Sequence, residues 1–206
     1  MTRCSTLHAD VYFDLICPWC LIGKRQLDAA IRMLRARHPQ LGISLTWHSC
    51  VLIPGLPRQG VPYRDFYLRR LGSPAAVANR QAQVREAARA AGAQIEFERM
   101  EVFPNALDAH RLVASAQLER GASTAEAVID ALFTRYFTLG QNIGDAAVLR
   151  EVAAEFDIAA PHASQPDPVT PAGVHGVPCY RFNGGAAIEG AQPPAVLLEA
   201  MLHAIA

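Results

Sequence analysis

The chain has 206 residues, 51% of them hydrophobic, enough for a sizeable core built as one large domain or as a domain carrying an insertion. Its 19 basic and 19 acidic side chains cancel, and the absence of a basic face or charged block argues against nucleic acid or an anionic membrane as a partner. The first ten residues lack the apolar centre of a secretory signal, and no apolar run reaches the roughly 20 residues that span a bilayer, so the expected setting is cytoplasmic.

Residues 8–16 alternate as a half-buried strand, with Val11, Phe13 and Leu15 on one side and Asp10, Tyr12 and Asp14 on the other. The run ends on Cys17-Pro18-Trp19-Cys20, after which Leu27, Ile31 and Leu34 recur at helical spacing until His38-Pro39. Both thiols therefore fall at the start of a helix. Unpaired N–H groups and the positive end of the helix dipole favour an anion there, so Cys17 is expected to be more acidic than an ordinary thiol. Pro18 suits the first helical turn because it has no N–H to leave unpaired. Residues 43–51 alternate again, and strand, helix, strand in this order requires a parallel pair with the thiol motif on one sheet edge.

Turn-forming residues follow from Pro54 to Gly60, and the pattern then turns helical, with helices expected over 63–71, 75–91, 107–120, 124–139 and 146–156. Ser73, Asn105, Ser123 and Asp145 are placed to cap them, and Gly72, Gly92, Gly121 and Gly140 to stop them. Residues 157–176 read as an irregular, proline-rich connector. A hairpin turning at Asn183-Gly184-Gly185 and a last helix opened by Pro193-Pro194 complete the chain.

Three chemistries suit a lone Cys-x-x-Cys. A zinc site needs a second ligand pair at similar spacing, and none is present. Two buried, inert thiols are the plainest reading. A redox pair fits best in a cytoplasmic chain, where structural disulfides are rare, and the odd count of five cysteines argues against a fully paired framework.

The order of motifs resembles the DsbA branch of the thioredoxin fold, and more closely the FrnE-like dithiol oxidoreductases. The carrying residues are Cys17-Pro18-Trp19-Cys20 with Ile22-Gly23-Lys24-Arg25, Ala109-His110-Arg111-Leu112, Tyr136-Phe137-Thr138 through Ile143-Gly144-Asp145, Gly176-Val177-Pro178, and Gly190-Ala191-Gln192-Pro193-Pro194. The resemblance implies an α/β, thioredoxin-like fold with an inserted all-helical subdomain: residues 1–55 and 172–206 as the thioredoxin-like domain, 56–171 as insertion and connector. It also implies a cis peptide before Pro178 that aims the backbone of Val177 at the dithiol.

On this reading Cys17 is the exposed nucleophile, Cys20 resolves the mixed disulfide, and Pro18, Trp19, Val177 and Pro178 meet the substrate. That substrate is a disulfide-containing protein or a small thiol. No metal and no cofactor beyond the cysteine pair is expected, with glutathione or another small thiol as electron partner. Asp14 and Lys24 read as nearby charges that shift the pair's potential in opposite directions, or as ordinary surface groups, and His110 as either a groove residue or a hydrogen-bonded core histidine. Two departures from the family stand out: the shortness of 157–176, and cysteines at 50 and 179. Cys50 and Cys179 read as small buried hydrophobes, or else as a resolving thiol or adventitious metal site beside the pair. Two rivals share the fold. One is a glutathione-dependent isomerase or transferase similar to the 2-hydroxychromene-2-carboxylate isomerases and kappa-class transferases, against which the intact Cys20 argues. The other is a chaperone-like binding module with a vestigial dithiol.

Overall fold

The computed structural model describes residues 6–161 and 174–206. Strand β1 (Thr6–Phe13) leads into helix α1 (Pro18–Arg37), and α1 into β2 (Gly42–Ser49). β1 and β2 pair in parallel, from Thr6 opposite Gly42 to Phe13 opposite Ser49. Near the C-terminus β5 (Cys179–Phe182) and β6 (Ile188–Glu189) form an antiparallel hairpin, and helix α7 (Pro194–Ile205) follows. β5 pairs antiparallel with β1, giving the sheet order β2-β1-β5-β6. The central strand is thus made of residues from the first tenth of the chain, flanked by one strand near in sequence and one far from it.

Between β2 and β5 lie α2 (Tyr63–Leu71), α3 (Pro74–Ala90), α4 (Leu107–Arg120), α5 (Ala122–Phe133) and α6 (Ala146–Glu155). The Ser73 and Asp145 side chains accept from the N–H groups of Ala76 and Ala147, as capping residues should, whereas the N-cap of α4 is Ala106 and Asn105, one residue before it, accepts from Leu107 N–H in a local turn. Ser123 does not cap: α5 starts earlier, at Ala122, and Ser123 is inside it. The expected helix over 124–139 continues past Phe133 as a wider π turn, Thr134–Thr138, which carries the fully buried Tyr136. The other regular structure described in this segment is a 3-10 turn, Phe97–Arg99, and a short antiparallel ladder of β3 (Val61–Pro62) with β4 (Val102–Phe103), which two residues per strand leave no period to announce. Most of the expected connector, 162–173, lies outside the described residues.

Two charges expected at the surface are in the interior. Asp14 is fully buried and Lys24 is 3% exposed. Strand alternation misplaced Asp14 because the end of β1 is covered on both faces: Tyr12 and Phe13 are buried alike. Lys24 reaches from α1 to α5, with its Nζ 2.9 Å from Asp130, 3.1 Å from Glu126 and 3.1 Å from Asp28. Burial alone would lower its pKa, but the three carboxylates outweigh that and hold it above the ordinary lysine value. The chain's single lysine is therefore a charged clamp between α1 and the helices of the middle segment. Among the described residues no helix is long and apolar enough to cross a membrane.

Candidate active site

The dithiol lies where β1 hands over to α1. Cys17 is the N-cap residue of α1, in extended conformation, and Pro18 takes the first helical position. Cys20 N–H donates to the Cys17 carbonyl at 3.0 Å, closing the first turn and bringing the second thiol round behind the first. Both cysteines are free thiols. Cys17 is not the exposed group that the sequence suggested: only 8% of it reaches solvent, through a cleft of about 370 Å³ that Cys17 lines together with Pro18 and Trp19. The aromatic side chains of α2 roof this cleft, which is why the thiol is shielded without being sealed. Cys20 is 2% exposed.

The two thiols differ in acidity. A hydrogen bond from the Cys20 thiol is the main reason that the Cys17 pKa lies below the ordinary thiol value. Backbone N–H groups of Cys20 and Trp19 add to it, while burial and the charge of Asp14 oppose it. Cys20 is displaced the other way, well above that value, by burial first and then by the bond it gives to Cys17. Sequence reasoning assigned the acidity of Cys17 to the helix end; the neighbouring thiol is the larger cause. Alkylation of the reduced protein by iodoacetamide should accordingly modify Cys17 with a pH midpoint below that of an ordinary thiol. Cys20 should stay unmodified until well into the alkaline range. Peptide mapping of the labelled sites against pH checks both.

The Cys17 Sγ is 3.9 Å from the Val177 carbonyl oxygen, and the Val177–Pro178 peptide is cis. The Pro178 carbonyl is held by the Gly190 N–H at 2.7 Å, and Gly190 needs its positive φ of 82° to present that group. Pro178 is buried against α1 at Gly23. A Cβ there would stand 2.6 Å from Pro178 Cγ and would clash with the Tyr180 hydroxyl as well. Gly23→Ala should therefore push the Val177–Pro178 turn away from Cys17 and destabilise the fold by about 2 kcal/mol, the usual scale of core overpacking. Thermal denaturation reads the stability, and the Cys17 alkylation midpoint reads the displaced turn.

Behind the thiols Asp14 is held by three partners. Its Oδ1 accepts from Ile16 N–H at 3.2 Å and lies 3.0 Å from His110 Nε2, and its Oδ2 accepts from Leu52 N–H at 2.7 Å. Its own N–H points at the Cys20 Sγ, 3.4 Å away. His110 is fully buried on α4, so it is a core histidine and not a groove residue. Among the described residues its Nδ1 has no partner, which favours the tautomer with the proton on Nε2, donating to Asp14. Leu15 N–H, 3.4 Å from Nε2, is then a close contact and not a bond.

Cys50 and Cys179 are buried with Tyr12 in a small cluster apart from the main core. Cys50 directly follows β2 and Cys179 opens β5, with β1 between these strands, so the two are about two strand spacings apart, on the order of 10 Å, beyond the Cα separation of about 7 Å that a disulfide allows. Burial raises the pKa of Cys179. These are the properties of small hydrophobes, not of a second redox pair. Among the described residues no group of three or more His, Cys, Asp or Glu converges as a metal site.

The sequence pattern of the DSBA-like thioredoxin domain matches residues 9–166. The chain belongs to this family. Solved structures share the fold of this DSBA-like chain. A probable DsbA oxidoreductase of Streptomyces coelicolor superposes with a TM-score of 0.79 at 24% identity, covering 96% of this chain and 89% of that one. The cytosolic disulfide reductase DsbM of Pseudomonas aeruginosa gives 0.56 at 19% identity, covering 96% and 98%. A 2-hydroxychromene-2-carboxylate isomerase gives 0.56 at 13% identity, covering 95% of each chain. No curated protein matches in sequence.

The fold of this DSBA-like chain brings Cys17, Cys20, Pro18, Trp19, Val177 and Pro178 to one end of the sheet, with Pro178 beneath the surface. Sequence reading missed the roof. Tyr63, Phe66, Tyr67 and Arg70 of α2 line the cleft, and their i, i+3, i+4, i+7 spacing was the available signal.

Proposed function

We infer that the chain is a thiol–disulfide oxidoreductase in which Cys17 is the nucleophile and Cys20 the resolving thiol. The observation that carries this reading is the asymmetry of the pair: an acidified thiol at the floor of a cleft, and a neutral one buried behind it. The Cys17 thiolate attacks one sulfur of a substrate disulfide, forming a mixed disulfide as the other sulfur leaves with the electron pair. Cys20 then gives up its proton and attacks the Cys17 sulfur, closing the Cys17–Cys20 disulfide and releasing the second substrate thiolate. Run backwards, the same steps oxidise a dithiol.

Pro18 and Trp19 flank the attacking sulfur on the helix side. Val177 offers a backbone carbonyl beside it, and Pro178 fixes that carbonyl in place. In this reading 1–55 and 172–206 form the thioredoxin-like domain that carries the dithiol, and 56–171 is the helical insertion and connector. The cysteine pair is the redox group of this reading, and glutathione or another small thiol of the cytoplasm exchanges electrons with it. The substrate is a disulfide-containing protein or a small thiol compound.

Equilibration of the protein in glutathione redox buffers, with tryptophan fluorescence as the signal, tests this. A reversible two-electron transition that vanishes in Cys17→Ser is the expected result. A protein that shows no such transition, or keeps it without Cys17, is not an oxidoreductase of this kind.

A further inference from the structure

We propose that the cleft above Cys17 accepts a low-molecular-weight disulfide or thiol that joins a flat, apolar body to an anionic group, with Arg70 and Arg80 receiving the anion. This names the substrate class for the exchange chemistry inferred above and rests on it.

Two helices build the cleft in the same way. α2 presents Tyr63, Phe66, Tyr67 and Arg70, and α3 presents Val77, Arg80, Gln81 and Val84, each at i, i+3, i+4, i+7, so each helix gives one stripe that ends or passes through an arginine. The walls are aromatic and ordered: the Phe66 ring stacks on Phe103 at 3.8 Å and 11°, and the Tyr63 and Tyr67 rings pack at 4.7 Å. A planar group entering between them meets ring faces and edges, the arrangement that aromatic pairs favour. The volume of about 370 Å³ is that of a small-molecule pocket.

The charges point to the second half of the ligand. Among the described residues Arg70 and Arg80 are the only formally charged side chains that line the cleft, and no carboxylate does. Neither arginine is in an ion pair among the described residues, whereas Arg85 and Arg89 on the same helix pair with Glu98 and Glu86. In a chain of zero net charge, two unneutralised guanidiniums facing one space form a local positive field. Tyr67 lines the cleft together with Cys17, Arg70 and Arg80, and its hydroxyl, whose pKa is raised chiefly by burial, also feels the charge of all three. An anionic group held at Arg70 and Arg80 would leave the body of the molecule against Tyr67 and its sulfur directed at Cys17.

The test is a single-turnover experiment with pre-reduced protein, which supplies both electrons itself. Cys17 and Cys20 become a disulfide as one aryl disulfide becomes two aryl thiols. Two probes are compared: dithiobis-nitrobenzoate, with a carboxylate on each ring, and neutral dithiodipyridine. The readout is the ratio of their rate constants, divided by the same ratio for free mercaptoethanol. It should be about tenfold in favour of the anion at low salt, from two partly solvated charge contacts. It should fall to near unity in the double variant Arg70→Gln, Arg80→Gln, and in wild type as salt shortens the screening length toward about 3 Å at 1 M. A ratio near unity in wild type, or one that survives the double variant, overturns the proposal. So does an unfolded protein disulfide that exchanges faster than the anionic probe. If instead Cys17→Ser reacts with both probes like wild type, it is the exchange chemistry that fails and not the choice of ligand.

Discussion

Cys17→Ser should lower the rate of disulfide reduction on the order of a thousandfold or more, whereas Cys20→Ser should leave the first step intact and stop the second. The two outcomes differ because the thiols have different tasks and different surroundings. A serine hydroxyl at 17 cannot ionise at neutral pH, so neither the hydrogen bond from Cys20 nor the backbone N–H groups of Trp19 and Cys20 can make it a nucleophile. The remaining cysteines among the described residues offer no substitute, since Cys20, Cys50 and Cys179 are all buried. In Cys20→Ser the hydroxyl can still donate to Cys17, so the first attack proceeds. The mixed disulfide then has no resolving thiol and accumulates. Intact-protein mass spectrometry should find one substrate half per chain, and peptide mapping should place it at Cys17. Turnover by Cys20→Ser at the wild-type rate, or an adduct at Cys50 or Cys179, would contradict the assignment.

The parts of this site that the sequence announced are those made by neighbours along the chain. The Cys17-Pro18-Trp19-Cys20 motif, the parallel β1 and β2, and the helix limits at Tyr63–Leu71 and Leu107–Arg120 all follow from periods, caps and turn residues within a few positions. The hairpin at Asn183-Gly184 and the last helix are of the same kind. What stayed hidden depends on distant segments. Asp14 alternates as a surface residue, and only the arrival of His110 from 96 positions away, with Leu52 from 38, makes it a buried acceptor. Lys24 is likewise an ordinary helix lysine until Glu126 and Asp130 close on it. Cys50 and Cys179 lie on one sheet edge in sequence terms, but the topology puts β1 between them. A stripe such as Tyr63, Phe66, Tyr67 and Arg70 can be read as core or as cleft, and the choice is settled by what packs opposite.

Replacing Asp14 by alanine should destabilise the protein by about 4 kcal/mol, a loss on the order of 8–16 °C in Tm for a chain of this size. The carboxylate ties the turn before α1, the loop after β2, and α4 to one point. Its removal leaves two backbone N–H groups and the Nε2–H of His110 without acceptors, each a buried donor that costs roughly 1–3 kcal/mol when unpaired, partly relieved where water enters beside Leu52. Asp14→Asn keeps an oxygen that can accept one of these bonds, and should lose about half as much. Stability alone would not separate this from any other core substitution, but the thiols supply a second readout. The negative charge of Asp14 raises the pKa of Cys17 and of Cys20. In Asp14→Asn that charge is gone while the shape is kept, so the alkylation midpoint of Cys17 should move to lower pH. The reduced form, stabilised as thiolate, should then make the couple more oxidising. Denaturation, the alkylation profile and the glutathione equilibrium together check this. A variant that unfolds more easily but leaves the Cys17 midpoint in place would show that Asp14 braces the fold without acting on the dithiol.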